Sequence, residues 1–423
     1  MSCVNVFEDK GFSKLLPIVY TRATFELRCG IDLLINKIER QYKGTTINLF
    51  CREYLADVLE TKYSHSVNKC ECSGDGSLFI NGRALLNSQI PLKGPEEAGV
   101  TKDGSIVYIR LNKFNCEKIN PEILLGSDPL AKLADIKKVE VTDIPMINYT
   151  WEVFQYNPGQ LKIDYNSYTG GKGKIEGKVY EGSYLLNPSQ IFIAKGASVY
   201  PGCVLNAEDG PIYIDEDAVL QPGAVIEGPH FTGRKSIIRI GAKIRTGSTI
   251  GEVCRVGGEV EDSIIQSYSN KQHDGFLGHG YLGSWCNLGA CTNNSDLKNN
   301  YGNVKVYVEG KLMDSGSMFV GLTMGDHSKS GIGTTFNTGT VVGIMCNIYG
   351  EGLPPKFIPS FSWGGAKGMV EYKADKAIEV AEKVMGRRKV KITPEEKKLY
   401  SALYEMTKVE KNLRYILKRI VDL

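Results

Sequence analysis

At 423 residues the chain is long enough for two or three domains, each with its own core. Its 42% apolar and 23% charged residues are those of an ordinary globular chain, and a net charge of +3 is too small to argue for nucleic acid or a membrane surface. No apolar run approaches the ~20 residues of a membrane span. The opening Met-Ser-Cys-Val-Asn-Val-Phe reads as a strand rather than an export segment, and eleven cysteines with one lone C-x-C, Cys70 and Cys72, read as reduced thiols. The expectation is a cytoplasmic protein.

Residues 1–145 read as α/β. Val4–Phe7, Thr46–Phe50 and Ser105–Leu111 have strand character, and Ala23–Tyr42, Arg52–Leu59 and Glu122–Ala134 have helical spacing. Strands alternating with helices place ligands at strand carboxyl ends. No Walker sequence or G-x-G-x-x-G follows the first strand, whose loop runs Glu8–Arg22 instead. Lys14, Arg22 and Arg28 are candidate phosphate cations, against the plainer reading that they are solvated or ion-paired. Residues 146–185 read as a connector with a short aromatic helix at Trp151–Tyr156.

From about Asn187 the period becomes six. Ile193, Val199, Ile214, Leu220, Ile240 and Thr246 open hexads, and the register continues through Phe276, Leu282 and Leu288 to Val320, Ile332 and Ile344. Six fits neither a 3.6-residue helix nor an alternating strand, but it fits a parallel β-helix of hexapeptides. Three hexads make a triangular coil, so residues 18 apart should stack. Residues 293–319 break the ladder and should project as a loop. After residue 363 come helices, one over Tyr372–Met385 and one opened by the capping box Thr393-Pro-Glu-Glu396.

Chemistry concentrates in residues 270–301, which hold two of the five histidines, Trp285 and a run of asparagines. His273 and His279 are six apart and so fall on adjacent faces of the triangle. A zinc site using them with His327 would need different subunits, as in γ-class carbonic anhydrases. The alternative role is general base. An amine attacking a thioester must lose a proton, which an imidazole accepts near neutral pH, and backbone N–H groups at coil corners can hold the oxyanion. Asn and Tyr side chains such as Asn287, Asn293, Asn294 and Tyr301, with Lys298, suit a polar sugar.

Leu277-Gly-His-Gly-Tyr-Leu-Gly283, Asn287-Leu-Gly-Ala-Cys-Thr292 and Asn300-Tyr301 resemble the acetyltransferase motifs of the bifunctional N-acetylglucosamine-1-phosphate uridyltransferase / glucosamine-1-phosphate acetyltransferase family. One residue is missing between His279 and Tyr281 relative to that motif. Phe7-Glu-Asp, Thr21-Arg22, Glu26-Leu-Arg28, Thr292–Tyr301 and Pro355–Gly364 resemble its divergent, mainly bacterial subgroup of sugar nucleotidyltransferases with hexapeptide repeats.

The resemblance implies an N-terminal nucleotidyltransferase-like domain (1–145), a connector (146–185), a left-handed β-helix acyltransferase domain (186–363) and a C-terminal helical segment (364–423). It implies His279 as base, with Tyr281 and Asn300 on the sugar and Arg245 and Lys271 in place of the usual basic pair. It implies acetyl-CoA as donor, a hexosamine 1-phosphate as acceptor, and Mg²⁺-dependent nucleotidyl transfer from a nucleoside triphosphate such as UTP, in a homotrimer. Lys14, Arg22, Arg28, Asn81 and Arg83 are the phosphate candidates. The family's usual glycine-rich uridyltransferase loop is absent, and Ala23 follows Thr21-Arg22 where the subgroup has proline. An N-terminal domain that only binds a nucleotide sugar is the alternative.

Overall fold

The computed structural model describes residues 3–69, 76–133 and 136–410. The Cys70–Cys72 pair lies outside the described residues. A mixed sheet of seven strands opens the chain: β1 (Cys3–Phe7), β2 (Thr46–Phe50), β3 (Ser66–Val67), β4 (Gly76–Asn81), β5 (Glu97–Val100), β6 (Ile106–Asn112) and β7 (Lys137–Glu140), in the order β3-β2-β1-β4-β6-β5-β7. β1 is fully buried and lies parallel to both β2 and β4, so the chain reverses its winding at β1/β4. That is where an α/β sheet opens a crevice.

The helices are shorter than their periodicity predicts. The stretch 23–42 keeps only α1 (Leu34–Gln41), because Gly30 takes a left-handed φ of 84° and its N–H bonds to Asn157 Oδ1 at 2.6 Å. α2 spans Ala56–Lys62 after a tight turn at Glu53–Leu55. The stretch from Glu122 keeps one turn, Pro121–Leu124, because Gly126 and Pro129 interrupt it. The connector does the opposite. α3 runs twenty residues, Thr150–Thr169, and carries Pro158 within it.

Parallel strands then stack on three faces from Lys174 onward, forming a left-handed β-helix. The first face has six strands from Tyr184–Leu186 to Phe276–Gly278, the second ten from Lys174–Ile175 to Phe357–Ile358, and the third ten from Lys178–Val179 to Ser362–Gly365, with Gly368–Glu371 added antiparallel at its edge. Ile193, Val199, Ile214, Leu220, Leu282 and Leu288 fill the interior as their hexads predict. Two expectations slip. Ile240 and Ile332 are 71% and 83% exposed, and Leu277, not Phe276, points inward. Ile240 falls two residues past Ile238, which stacks on Leu220 at the regular period of 18, and beyond it the period shortens to 15 at Thr249↔Ile264 and 17 at Ile264↔Tyr281, which moves the later inward positions.

The break at 293–319 does not project freely. It forms an antiparallel hairpin, Lys305–Val308 with Lys311–Asp314, and buries Val304, Val306 and Tyr307 against Leu15, Ile18, Val19 and Trp151. At the other end α4 (Ala374–Gly386) and α5 (Pro394–Met406) pack between the sheet domain and the corner carrying Trp285, Met345 and Phe361. The capping box forms as read, Glu396 N donating to Thr393 Oγ1 at 3.1 Å and Thr393 N to Glu396 Oε2 at 2.8 Å. Eight described cysteines are thiols. Cys3 is disulfide-bonded, which corrects the expectation of reduced thiols throughout.

Two histidines sit inside the packing. His230 lies in the coil with Nε2 2.6 Å from Thr232 Oγ1, and burial pushes its pKa down to about 3. Burial also holds His327 well below the usual imidazole range. Both are neutral in the fold, whereas the unfolded chain binds these protons below about pH 6.5. Their contribution is therefore complete above pH 6.5 and is lost as pH falls toward the folded values. By linkage His230 alone costs about 2 kcal/mol at pH 5. Urea midpoints measured against pH should show this loss, and His230→Gln should flatten it.

Candidate functional site

The corner between the first and second faces carries Asp262 and His279, both left-handed, with φ of 40° and 47°. His279 is followed by Gly280, and its N–H bonds to Glu261 O at 3.0 Å, which locks the turn one coil above its neighbour. The imidazole is held from both sides. Nδ1 lies 2.8 Å from Asp296 Oδ2, and Nε2 lies 3.6 Å from Asp262 Oδ2. Asp262, His279 and Asp296 are each 17 residues apart, one coil, so the three stack along the axis. Asp296 is the orienting partner: a proton on Nδ1 donated to it leaves the Nε2 lone pair to accept one. Burial raises the Asp262 carboxyl from its ordinary range, while the nearby His279 charge opposes this.

Two rings complete the setting. Phe319, on the insert, stacks on His279 at a centroid distance of 4.9 Å, and Phe154 of α3 meets it edge-on at 6.3 Å. The side chain stays 19% exposed. The corner amides are already used. Gly278 N donates to Asn294 Oδ1, Gly280 N to Ser263 Oγ and Gly321 N to His279 O. The expected oxyanion donors are therefore not found at this corner.

One coil further on, Ser295, Leu297, Lys298, Asn300, Asn337 and Lys356 line an open polar cavity of about 500 Å³. Ser295 and Leu297 flank Asp296, so the cavity adjoins the His279 partner. Burial, then Lys298, lowers the Lys356 pKa. Neither lysine has a carboxylate partner among the described residues. Lys298 and Asn300, both read from the sequence as sugar contacts, lie in the lining of this cavity, and Tyr301, next in the chain, is 69% exposed.

Other predicted contacts have structural jobs. Tyr281 is fully buried and its hydroxyl donates to Gln266, with burial raising its pKa. Lys271 turns into the coil, donating to the carbonyls of Gly257 and Gly275 at 2.8 and 2.6 Å, and burial lowers its pKa to about 8. Asn294 grips Gly278 through both its amide atoms. Asn293 bonds to Phe276 N and Cys291 O. Asn287 lies on the third face, paired with Asn270, away from His279. Arg245 pairs with Glu261 at 3.1 Å on the surface. Periodicity could not separate inward from outward positions where the coil length changes.

The N-terminal candidates are also spoken for. Arg22 bonds to Asp326 at 2.6 Å and Ser284 at 3.0 Å, and Arg28 to Glu252 at 2.5 Å. Both guanidiniums fasten the sheet domain to the β-helix instead of facing a phosphate. At the β1/β4 crevice Arg83 clasps Asp9 with Nε at 2.8 Å and Nη2 at 2.6 Å. Asn81 donates to Asp9 at 2.9 Å. Of the four cations, Lys14 alone lacks a carboxylate partner among the described residues, and its ammonium lies 5.3 Å from the Tyr149 ring centroid.

His273, His279 and His327 do not converge. His273 is exposed, while His327 is 2% exposed with Nε2 3.1 Å from the Tyr400 hydroxyl. That burial withdraws His327 from any subunit-interface zinc site. Among the described residues no group of three or more His, Cys, Asp or Glu side chains is arranged to hold a metal ion. No helix among them is long and apolar enough to cross a membrane.

Residues 4–173 match the family model of sugar nucleotidyl transferases. Over 271 residues the chain is 32% identical to a bifunctional sugar-1-phosphate nucleotidylyltransferase/acetyltransferase of Sulfurisphaera tokodaii, covering 63% of this chain and 60% of that one. It is also similar to the bifunctional protein GlmU of Methanocaldococcus jannaschii, 34% identical over 21% of each chain, and of Rippkaea orientalis, 27% identical over 26% of this chain and 29% of that one. The chain thus spans about three fifths of the first of these relatives and less than a third of the others.

Within the segment that matches the sugar nucleotidyl transferase model, the acids nearest the crevice are already saturated. Glu8 accepts from Arg52 Nε and Nη2, each at 3.0 Å, and from the Thr24 and Arg52 amides. Asp9 accepts from Arg83, Asn81 and Gly11 N. Gly11 lies so close that a Cβ there would meet the Arg83 guanidinium at 2.4 Å. These carboxylates do not fit a Mg²⁺ ion in this arrangement, and no step is derived through one.

Proposed function

We propose that the chain transfers an acetyl group from acetyl-CoA to the amine of a hexosamine 1-phosphate, with glucosamine 1-phosphate the leading candidate. The observation carrying this is His279, oriented by Asp296, whose chain neighbours Ser295 and Leu297 line a polar cavity with two lysines. The amine nitrogen attacks the thioester carbon as His279 Nε2 takes its proton. The C–S bond then breaks, and the imidazolium returns the proton to the leaving thiolate. Asp296 stabilises the imidazolium, and Lys298 and Lys356 hold the sugar phosphate.

The match over residues 4–173 and the bifunctional relatives support a second activity, nucleotidyl transfer from a nucleoside triphosphate such as UTP to the acetylated sugar 1-phosphate. The saturated Glu8 and Asp9 favour the alternative, a domain that binds a nucleotide sugar without reacting it. Like the acetyl transfer, this belongs to a cytoplasmic homotrimer in the proposed assignment. The domain division 1–145 and 186–363 follows the same split.

Glucosamine 1-phosphate, acetyl-CoA and UTP, supplied separately and together, separate these readings. Thiol release with the first two supports the acetyltransferase. Pyrophosphate formation on adding UTP supports the second activity, and its absence with every nucleoside triphosphate leaves the binding domain. Lys356→Ala and Lys298→Ala should each raise the KM for the sugar phosphate about 10–100-fold with kcat little changed, the effect of a lost charge-assisted hydrogen bond. Steady-state kinetics against sugar phosphate checks this, and an unchanged KM removes the lysines from the site.

A further inference from the structure

Four arginines meet on the third face of the β-helix, where the end of α4 reaches it. Arg239 and Arg255 come from neighbouring coils: Ile237 and Arg255 are register partners, and a Cβ on Gly257 would lie 3.0 Å from Arg239 Cβ. Arg387 and Arg388 come from the residues closing α4. Arg388 Nη2 donates to Asn270 Oδ1 at 2.8 Å, and Asn270 is the register partner of Arg255 on the next coil. This ties both pairs to one place. His279 stands at the opposite corner, between the other two faces.

The cluster lacks its counter-charge. None of the four arginines has a carboxylate partner among the described residues, although Arg22, Arg28, Arg40, Arg52, Arg83 and Arg110 all do. Arg255 Nη1 and Arg388 Nε are buried with no hydrogen-bond acceptor. A buried guanidinium N–H without a partner costs free energy, and clustering like charges adds to the cost. Burial and the neighbouring arginines push the pKa values of Arg255 and Arg388 down, which marks how closely the charges crowd. The carbonyl end of α4 offsets this for Arg387 and Arg388, because a helix C-terminus favours cations. It does nothing for Arg239 and Arg255, which are held by strands.

We propose that Arg239, Arg255, Arg387 and Arg388 form a binding site for a phosphate-bearing anion, separate from the His279 corner. Guanidinium groups converging from two elements present forked donors to several oxygens at once, the arrangement that phosphate and diphosphate groups fit. Asn270 holds Arg388 in place from the β-helix side. Because half of the site comes from α4, an occupied site also fastens the C-terminal helices to the β-helix.

Calorimetric titration of the full chain with inorganic phosphate and with pyrophosphate, in an anion-poor buffer, tests this. The wild type should bind at least one of them. Arg255→Gln and Arg388→Gln should each bind it about tenfold or more weakly, while His279→Ala binds it unchanged. Binding of both ions assigns the site to a free phosphate group, and binding of pyrophosphate alone assigns it to a diphosphate-bearing ligand. Without ligand, Arg255→Gln should have a Tm at or above wild type, because it removes an unpaired, repelled charge. The proposal is overturned if the wild type binds neither ion, if both glutamine variants bind like wild type, or if ligand-free Arg255→Gln melts below wild type.

Discussion

His279→Ala should lower the rate of acetyl transfer by about 10²–10⁴-fold, the usual contribution of a positioned general base. The assay is thiol release from acetyl-CoA with glucosamine 1-phosphate as acceptor. Asp296→Asn should retain His279 and the fold, because an amide fills the same space, yet lose about 10–100-fold through a misoriented imidazole. The pair of variants separates two roles. If His279 only held the corner together, Asp296→Asn would shift Tm and leave the rate per folded molecule intact. Thiol release that persists unchanged in His279→Ala removes the base assignment altogether.

The second large effect concerns stability. Asp164 of α3 is fully buried, and its carboxylate binds Lys37 at 2.5 Å and Arg40 at 2.9 Å. It also accepts the Ile31 amide at 3.0 Å. Lys37 is equally buried. Asp164→Ala should cost about 3–5 kcal/mol, because it leaves an ammonium in the interior with no counter-ion. Urea unfolding checks the magnitude. Removing both charges as Asp164→Leu with Lys37→Met should recover most of the loss, since the penalty comes from the orphaned partner rather than from the missing pair. A double variant as unstable as Asp164→Ala would show that packing, not charge, sets the cost.

This network shows why the sheet domain and the β-helix are fastened together. α3 leaves the sheet domain, carries Asp164 and Asn157 against the Gly30–Lys37 segment, and lays Asn157 on Gly247 O and Thr249 of the coil. Arg22 and Arg28 add two more clamps. The sequence marks these arginines as candidate phosphate cations, Arg22 at the end of the loop after the first strand and Arg28 in the stretch that follows. Their partners, Asp326 and Glu252, are 304 and 224 residues away. No local pattern carries such a pairing.

His279 shows the reverse. Its position at a coil corner, the hexapeptide scaffold and the capping box at Thr393 are all legible from residue order, because each depends on a short period or a local turn. Lys298 and Asn300 lie in the same polar run and do line the cavity. Lys356, which lines the cavity, and Phe154 and Phe319, which pack on the His279 ring, come from other parts of the chain, and only folding brings them there. Asp262 and Asp296 carry the one signal that was available, a spacing of one coil on either side of His279.

The sequence by itself determined the architecture, an α/β sheet followed by a parallel β-helix and capping helices, because strand and hexad periods are local and repeat. It also singled out residue 279. The tertiary structure decided which polar side chains are free to act. Tyr281, Lys271 and Asn294 are spent inside the coil, and the buried Arg22, Arg28 and Arg83 are spent on carboxylates, since a charge or amide removed from water must find a partner wherever the fold supplies one. What is not tied up in the interior is His279 with its two carboxylates, the arginine cluster, and the two cavity lysines, which donate only to the exposed carbonyls of Asn303 and Lys305 at 3.3 Å.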